Sequence, residues 1–216
     1  MNIKFNRTDM AKINNKNTHI IKFNHLNNSI KDKLKNEINL YLNNISHKKS
    51  ALIVGLGNSE FTADSIGPLT IKNIKTNGFI KNLGFKNNQI NIYTIIPGVL
   101  SKTGIDTGKI IKAITKEIKP DFLIVIDSFI TDNINLLEKS IEINDKGIIP
   151  GSGIFKVNTK INKTNMNVPV IVIGVPTALE INIHNKDFIV TSTNIDKYIV
   201  DISIIISDSL NEIFYK

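Results

Sequence analysis

Ala51-Leu-Ile-Val-Gly-Leu-Gly-Asn58 and Asp121-Phe-Leu-Ile-Val-Ile-Asp127-Ser128 decide the fold. Each is a short, unbroken apolar run rich in β-branched residues, ended by glycine or by an acidic residue. A strand with one solvated face alternates apolar and polar residues. A run that is apolar throughout predicts a strand covered on both faces. Similar segments place strands over 51–56, 90–96, 122–126, 140–143 and 170–174, and helices over 65–75, 107–118, 133–138 and 194–214. Strands of this kind separated by helices predict an α/β fold, a mostly parallel sheet with helices on both faces. The last helix carries a docking stripe of Ile199, Ile202, Ile206, Leu210 and Ile213. Upstream, Ile30, Leu34, Ile38, Tyr41 and Ile45 have helical spacing over 29–45, with Ser29 as the N-cap. Residues 1–28 are polar and aperiodic and read as an arm, leaving 29–216 as the core of a single domain.

Composition removes several classes of function. There is no cysteine, hence no disulfide framework and no thiolate metal site, which fits a reducing cytoplasm. No apolar run reaches the ~18 residues needed to span a bilayer, and Met1-Asn-Ile-Lys-Phe-Asn-Arg7 has no export signal, so no membrane association is expected. The net charge of +8 comes from lysines spread over the whole chain. With four tyrosines, no tryptophan and no basic stripe interleaved with aromatics, direct nucleic-acid binding is not expected. The basic surface suits an acidic protein substrate better.

In an open parallel sheet, ligands bind beyond the carboxyl ends of the strands. Asp127 closes one apolar run, and Asp64 follows the other within Thr62-Ala-Asp64-Ser-Ile-Gly-Pro68. Taken singly, Asp64 is a helix N-cap and Asp127 a strand-end residue satisfying loop amides. Together they bring two carboxylates to one edge, where a shared proton and an activated water make an acid–base hydrolase. Glycine-rich backbone accumulates at the same strand ends: Gly55, Gly57 and Asn58; Gly98; Thr103 with Gly104; and Gly151, Ser152 and Gly153. Gly55-Leu-Gly-Asn58 opens like a dinucleotide fingerprint, but Glu60 stands where the third glycine belongs and no acidic residue closes a following strand. His19, His25, His47 and His184 lie outside these loops without metal-ligand spacing, so neither a metal nor a cofactor is expected. Ser65, Ser128 and Ser152 have no histidine to activate them, which leaves the chemistry to the carboxylates.

Taken in order, Gly-Leu-Gly-Asn58, Thr62-Ala-Asp64-Ser-Ile-Gly-Pro68, Pro97-Gly-Val99, Thr103-Gly-Ile-Asp-Thr107, Lys119-Pro-Asp-Phe122, Asp127, Ile143-Asn-Asp-Lys-Gly-Ile148, Pro150-Gly-Ser-Gly153 and Gly174-Val-Pro-Thr177 form a series that closely resembles the germination proteases of spore-forming bacteria. The resemblance runs from Leu52 to Thr177 and recurs in Arg7-Thr-Asp-Met-Ala11 and the final helix. It implies an atypical aspartic endopeptidase on a fold like that of hydrogenase-maturation proteases, with Asp64 and Asp127 as the essential aspartates. It also implies small acid-soluble spore proteins as substrate, a tetramer, and a place in the spore or forespore interior.

The chain departs from the family pattern in several places. Residues 12–28 are fewer than the family has, a family segment is missing between Glu180 and Val190, and Glu180 stands where the family tends to have aspartate. Pro150-Gly-Ser-Gly153 continues as Ile-Phe-Lys-Val, and only six residues precede Arg7, so the family's propeptide is expected to be missing or vestigial. The expected mechanism is peptide hydrolysis by a water held between the aspartates, with amides of 55–58 or 150–153 available to an oxyanion. The alternative is a catalytically inactive, shortened relative that serves as a sporulation or assembly factor.

Overall fold

In the computed structural model, which describes residues 18–79, 89–151 and 159–215, the two deciding runs lie side by side. They form β2 (Ser50–Gly55) and β4 (Phe122–Thr131), parallel and in register from Ala51 opposite Phe122 to Gly55 opposite Ile126. β3 (Asn91–Ile95) adds parallel to the outer side of β2, and β6 (Val170–Ile183) adds parallel to the other side of β4. Two antiparallel strands follow on that side, β5 (Ser140–Asn144) against β6 and β1 (Thr18–Lys22) against β5. β7 (Lys186–Val190) folds back on the far half of β6. Among the described residues these seven strands make one sheet, mixed in direction but parallel at its centre.

Helices cover both faces, and strand alternation sorts the core accordingly. α1 (Asn28–Asn43), α2 (Ile66–Asn73) and α6 (Ile195–Phe214) pack on the face that carries Ile53, Phe122, Ile124, Ile126, Ile171 and Ile173. α4 (Thr107–Ile118) packs on the opposite face, over Leu52, Val54, Leu123, Val125, Val170 and Val172. Two single-turn helices, α3 (Leu100–Thr103) and α5 (Lys163–Met166), complete the described elements. Leu52, Ile53, Leu123 and Ile124 are fully buried, which is why their strands show no alternation. Burial of each such side chain contributes ~1.5–3 kcal/mol. None of the described helices is long and apolar enough to cross a membrane.

Several local expectations change. The last part of the arm, Thr18–Lys22, is β1. Ile21 enters the core there, in a strand too short for its alternation to stand out. The cap of α1 is Asn27, whose Oδ1 accepts the Ile30 N–H at 3.3 Å, in place of Ser29. Residues 134–139 are turns, not a helix, with Glu138 at φ 53°. β4 and β6 continue well past residues 126 and 174, and β6 becomes one arm of a hairpin turned at His184 and Asn185, with φ of 50° and 60°. Two consecutive left-handed residues match the right-handed twist of the strands they join.

Candidate active site

β2 leads to β3 on one side, and the chain then crosses back to β4 on the other. Strand order reverses between β2 and β4, and the crevice lies beyond their carboxyl ends. β2 stops at Gly55, whereas β4 runs five residues past Ile126, the partner of Gly55. Asp127 is therefore a mid-strand residue, placed at the crevice because its neighbour ends first.

Two glycines make that ending possible. A Cβ on Gly55 would stand 2.4 Å from the Gly67 carbonyl oxygen, and one on Gly67 would stand 2.2 Å from the Leu56 carbonyl oxygen. The end of β2 and the start of α2 are thus in backbone contact. The loop between them closes in a 3-10 turn over Thr62–Asp64. Gly57, at φ 110°, leaves room for the Asp64 main chain, which accepts the Asn58 N–H at 3.0 Å.

Asp64 does not cap α2, and Ser65, which holds the cap position, makes no side-chain cap bond. The Asp64 carboxylate instead accepts two donors, the Asn58 N–H on Oδ2 at 2.9 Å and the Ser128 hydroxyl on Oδ1 at 2.9 Å. Asp127 accepts the Ser128 N–H on Oδ1 at 3.0 Å. Leu123 and Val125 point to the α4 side and Ile124 and Ile126 to the other, so Asp127 faces α4 and Ser128 faces away from it. Both carboxylates bond Ser128, at the point where β2 no longer stands beside β4.

Their environments differ. Asp127 is 8% exposed. Burial, with the charge of Asp64 added to it, holds its carboxyl well above the usual carboxylate range, against a smaller opposing effect of the Ser128 amide. Asp64 is half-buried and is also raised by burial, but the Ser128 hydroxyl and the Asn58 amide oppose the rise. Two donors stabilise the ionised form of Asp64. For Asp127 the neutral form is favoured.

The other expected residues fall as follows. Gly98, at φ 75°, and Thr103 lie just after β3, on the crevice edge. The Gly98 carbonyl accepts the Thr107 hydroxyl at 3.2 Å, and the Thr103 hydroxyl bonds Val99 and Ile105 carbonyls. Glu60 and Lys102 pair across the two loops. β5 is antiparallel, so the chain leaves it at the end of the sheet opposite the crevice. It returns by Thr159, whose N–H and hydroxyl both donate to Asp106 at the start of α4. Gly151 is an exposed turn residue between those points, and Ser152 and Gly153 lie outside the described residues. Among the described residues no group of three or more His, Asp and Glu stands close enough to hold a metal ion.

Two residues escaped sequence reasoning. Ser128 was considered only as a nucleophile, and its contact with Asp64 spans 64 residues. Glu142 sits in Ser140-Ile-Glu-Ile-Asn144, whose alternation reads as a strand with a solvated acid. It is in fact 2% exposed, on the face opposite to Ile141 and Ile143. In register, Glu142 pairs with Gly174, and Gly174 pairs with Asp127, so both acids share one row of the sheet. Burial alone lifts Glu142 from 4.5 to about 7. A carboxyl raised in the folded state costs nothing below 4.5, progressively more as pH rises, and its full amount above 7. Glu142→Met should therefore gain stability relative to wild type between pH 5 and pH 8, by on the order of 3 kcal/mol at the upper end. Urea denaturation at the two pH values measures this, and a pH-independent difference would contradict it.

A family model described as germination protease matches residues 8–187. The chain is 38% identical over 164 residues to a curated germination protease of Geobacillus sp. (strain WCH70), covering 72% of this chain and 43% of that protein. It is 39% identical over 140 residues to that of Bacillus subtilis (strain 168), covering 63% and 38%. For the germination protease of Clostridium perfringens (strain 13 / Type A) the figures are 35% over 140 residues, with 63% and 43% covered. The chain thus spans about two-fifths of the length of these relatives. Among solved structures, the [NiFe] hydrogenase maturation protease HycI from Thermococcus kodakarensis KOD1 aligns with a TM-score of 0.43 at 18% identity, over 79% of this chain and 98% of that one.

Proposed function

We propose, for a chain that belongs to the germination protease family, that it is an aspartic-type endopeptidase cleaving small acid-soluble spore proteins with Asp64 and Asp127 as its catalytic pair. One observation carries this reading: a doubly hydrogen-bonded carboxylate and a buried carboxyl share Ser128 at the strand-reversal crevice, where the charge of Asp64 acts on Asp127. Asp64, ionised, takes a proton from the attacking water as its oxygen bonds to the scissile carbonyl carbon. Asp127, neutral, donates its proton to the carbonyl oxygen. As the tetrahedral intermediate collapses, Asp64 passes the proton it took from water to the leaving amine nitrogen, and a hydroxyl of the intermediate returns one to Asp127. The C–N bond breaks, leaving an acid and an amine, and the pair ends with the one proton it started with. Of the turn amides near the crevice, Leu56 N–H is bonded to Ile126 and Asn58 N–H to Asp64, which leaves Gly57 to face an oxyanion. Self-association into a tetramer and action in the spore interior belong to the same reading.

The test is digestion of purified small acid-soluble spore protein across a pH series. Cleavage needs Asp64 ionised and Asp127 neutral. It should rise as pH passes the Asp64 value, raised by burial, and fall as pH passes the Asp127 value, raised further. A bell of this kind reports the two values of the coupled pair. No cleavage at any pH by the wild-type protein would defeat the proposal and favour a non-enzymatic role.

A further inference from the structure

We infer that Ser128 is the positioning residue of the aspartate pair, its hydroxyl holding Asp64 as the base while its amide holds Asp127 in place. This rests on the hydrolytic reading above and goes beyond it by naming what makes the two carboxyls unequal. Ser128 is the one described residue seen to bond both: Oγ to Asp64 Oδ1 at 2.9 Å, and N–H to Asp127 Oδ1 at 3.0 Å. The two bonds differ in kind. The amide belongs to the strand and is present whatever residue stands at 128. The hydroxyl is a property of the side chain, and its donation stabilises the charged form of Asp64.

The hydroxyl also fixes direction. Asp64 is carried by a loop and Ser128 by a central strand of the sheet, with Asn58 gripping the other carboxylate oxygen. Held at both oxygens, the Asp64 carboxylate has one orientation towards β4. The elements packed on the Thr62–Asp64 turn are β4, β6, α2 and α6. β4 brings Asp127, β6 brings the Thr177 hydroxyl to the Ala63 carbonyl, and the buried faces of α2 and α6 present Ile66, Ile71, Ile195, Ile199 and Ile202, with Tyr198 as the titratable residue among them. Against this background the Ser128 hydroxyl is the stronger of the two donors that keep Asp64 from rising further.

Carbon-13 titration of the Asp64 and Asp127 side-chain carboxyls in wild type, Ser128→Ala and Ser128→Thr tests this without requiring turnover. The alanine variant should titrate Asp64 about one pH unit higher, and threonine, which keeps the hydroxyl, should restore the wild-type value. In digestion of spore protein, the acid limb of kcat/KM should move by the same unit, a loss of about tenfold on that limb with KM little changed. An Asp64 titration that is the same in alanine and wild type, or is not restored by threonine, overturns the inference. A wild-type protein that cleaves nothing overturns the hydrolytic reading instead, and the titration still decides the role of Ser128.

Discussion

Asp127→Asn is expected to lower cleavage of small acid-soluble spore protein by ~10³-fold while leaving the fold more stable than wild type at neutral pH. The two effects have one cause. Asp127 is buried on the α4 face with a single amide donor, so its charged form is disfavoured. Asparagine has nearly the same shape and carries no proton that it can give up. The transfer to the scissile carbonyl oxygen is lost, and so is the cost of a carboxyl whose folded value lies above its unfolded one. That cost grows as pH rises above the ordinary carboxylate range, so the stability gain should grow with it. Asp64→Asn should remove as much activity but gain less stability, because relief of its own burial is offset by a lost bond. An amide offers one acceptor oxygen where Asn58 and Ser128 supply two donors, and losing one bond costs about 0.5–1.5 kcal/mol. Initial rates and thermal midpoints for the two variants check both halves. Full activity in either variant would end the case for the pair.

Gly67→Ala is expected to be among the most damaging single-methyl changes in the chain. Glycine to alanine inside a helix usually gains ~1 kcal/mol. Here the sign reverses, because the added Cβ would lie 2.2 Å from the Leu56 carbonyl oxygen and 2.5 Å from the Leu56 nitrogen. Neither atom is the end of a flexible side chain. Leu56 N–H is bonded to Ile126, so moving it pulls the end of β2 away from β4. The loss should exceed the ~1–3 kcal/mol of ordinary overpacking. Whatever fraction folds should also be poorly active, since the displaced segment is the one that aims Asp64. The urea midpoint measures the effect, and a midpoint equal to or above that of wild type would show that the contact yields.

The apolar runs at 51–56 and 122–126 were readable because a strand buried on both faces has no polar position to confuse the pattern, and the helix expected over 107–118 has those bounds in the structure. Strand ends were less readable. β4 and β6 continue through Ser128, Thr131 and Thr177, where polar residues resemble turn chemistry until their partners are known. β1 and β5 were hardest, since strand direction leaves no mark on composition. An antiparallel β5 ends at the side of the sheet away from the crevice, and Glu142 within it is buried although it looks solvated in the sequence.

What the sequence determined by itself is the α/β class and the family, because unbroken apolar runs, turn glycines and ordered motifs are local properties of the chain. What only the tertiary structure decided is the inequality of Asp64 and Asp127. Asp64 gains Ser128 from a strand 64 residues away, and Asp127 gains its burial from helices and strands throughout the fold. Hydrogen bonding and desolvation depend on neighbours in space, and they are what make two chemically identical carboxyls unequal.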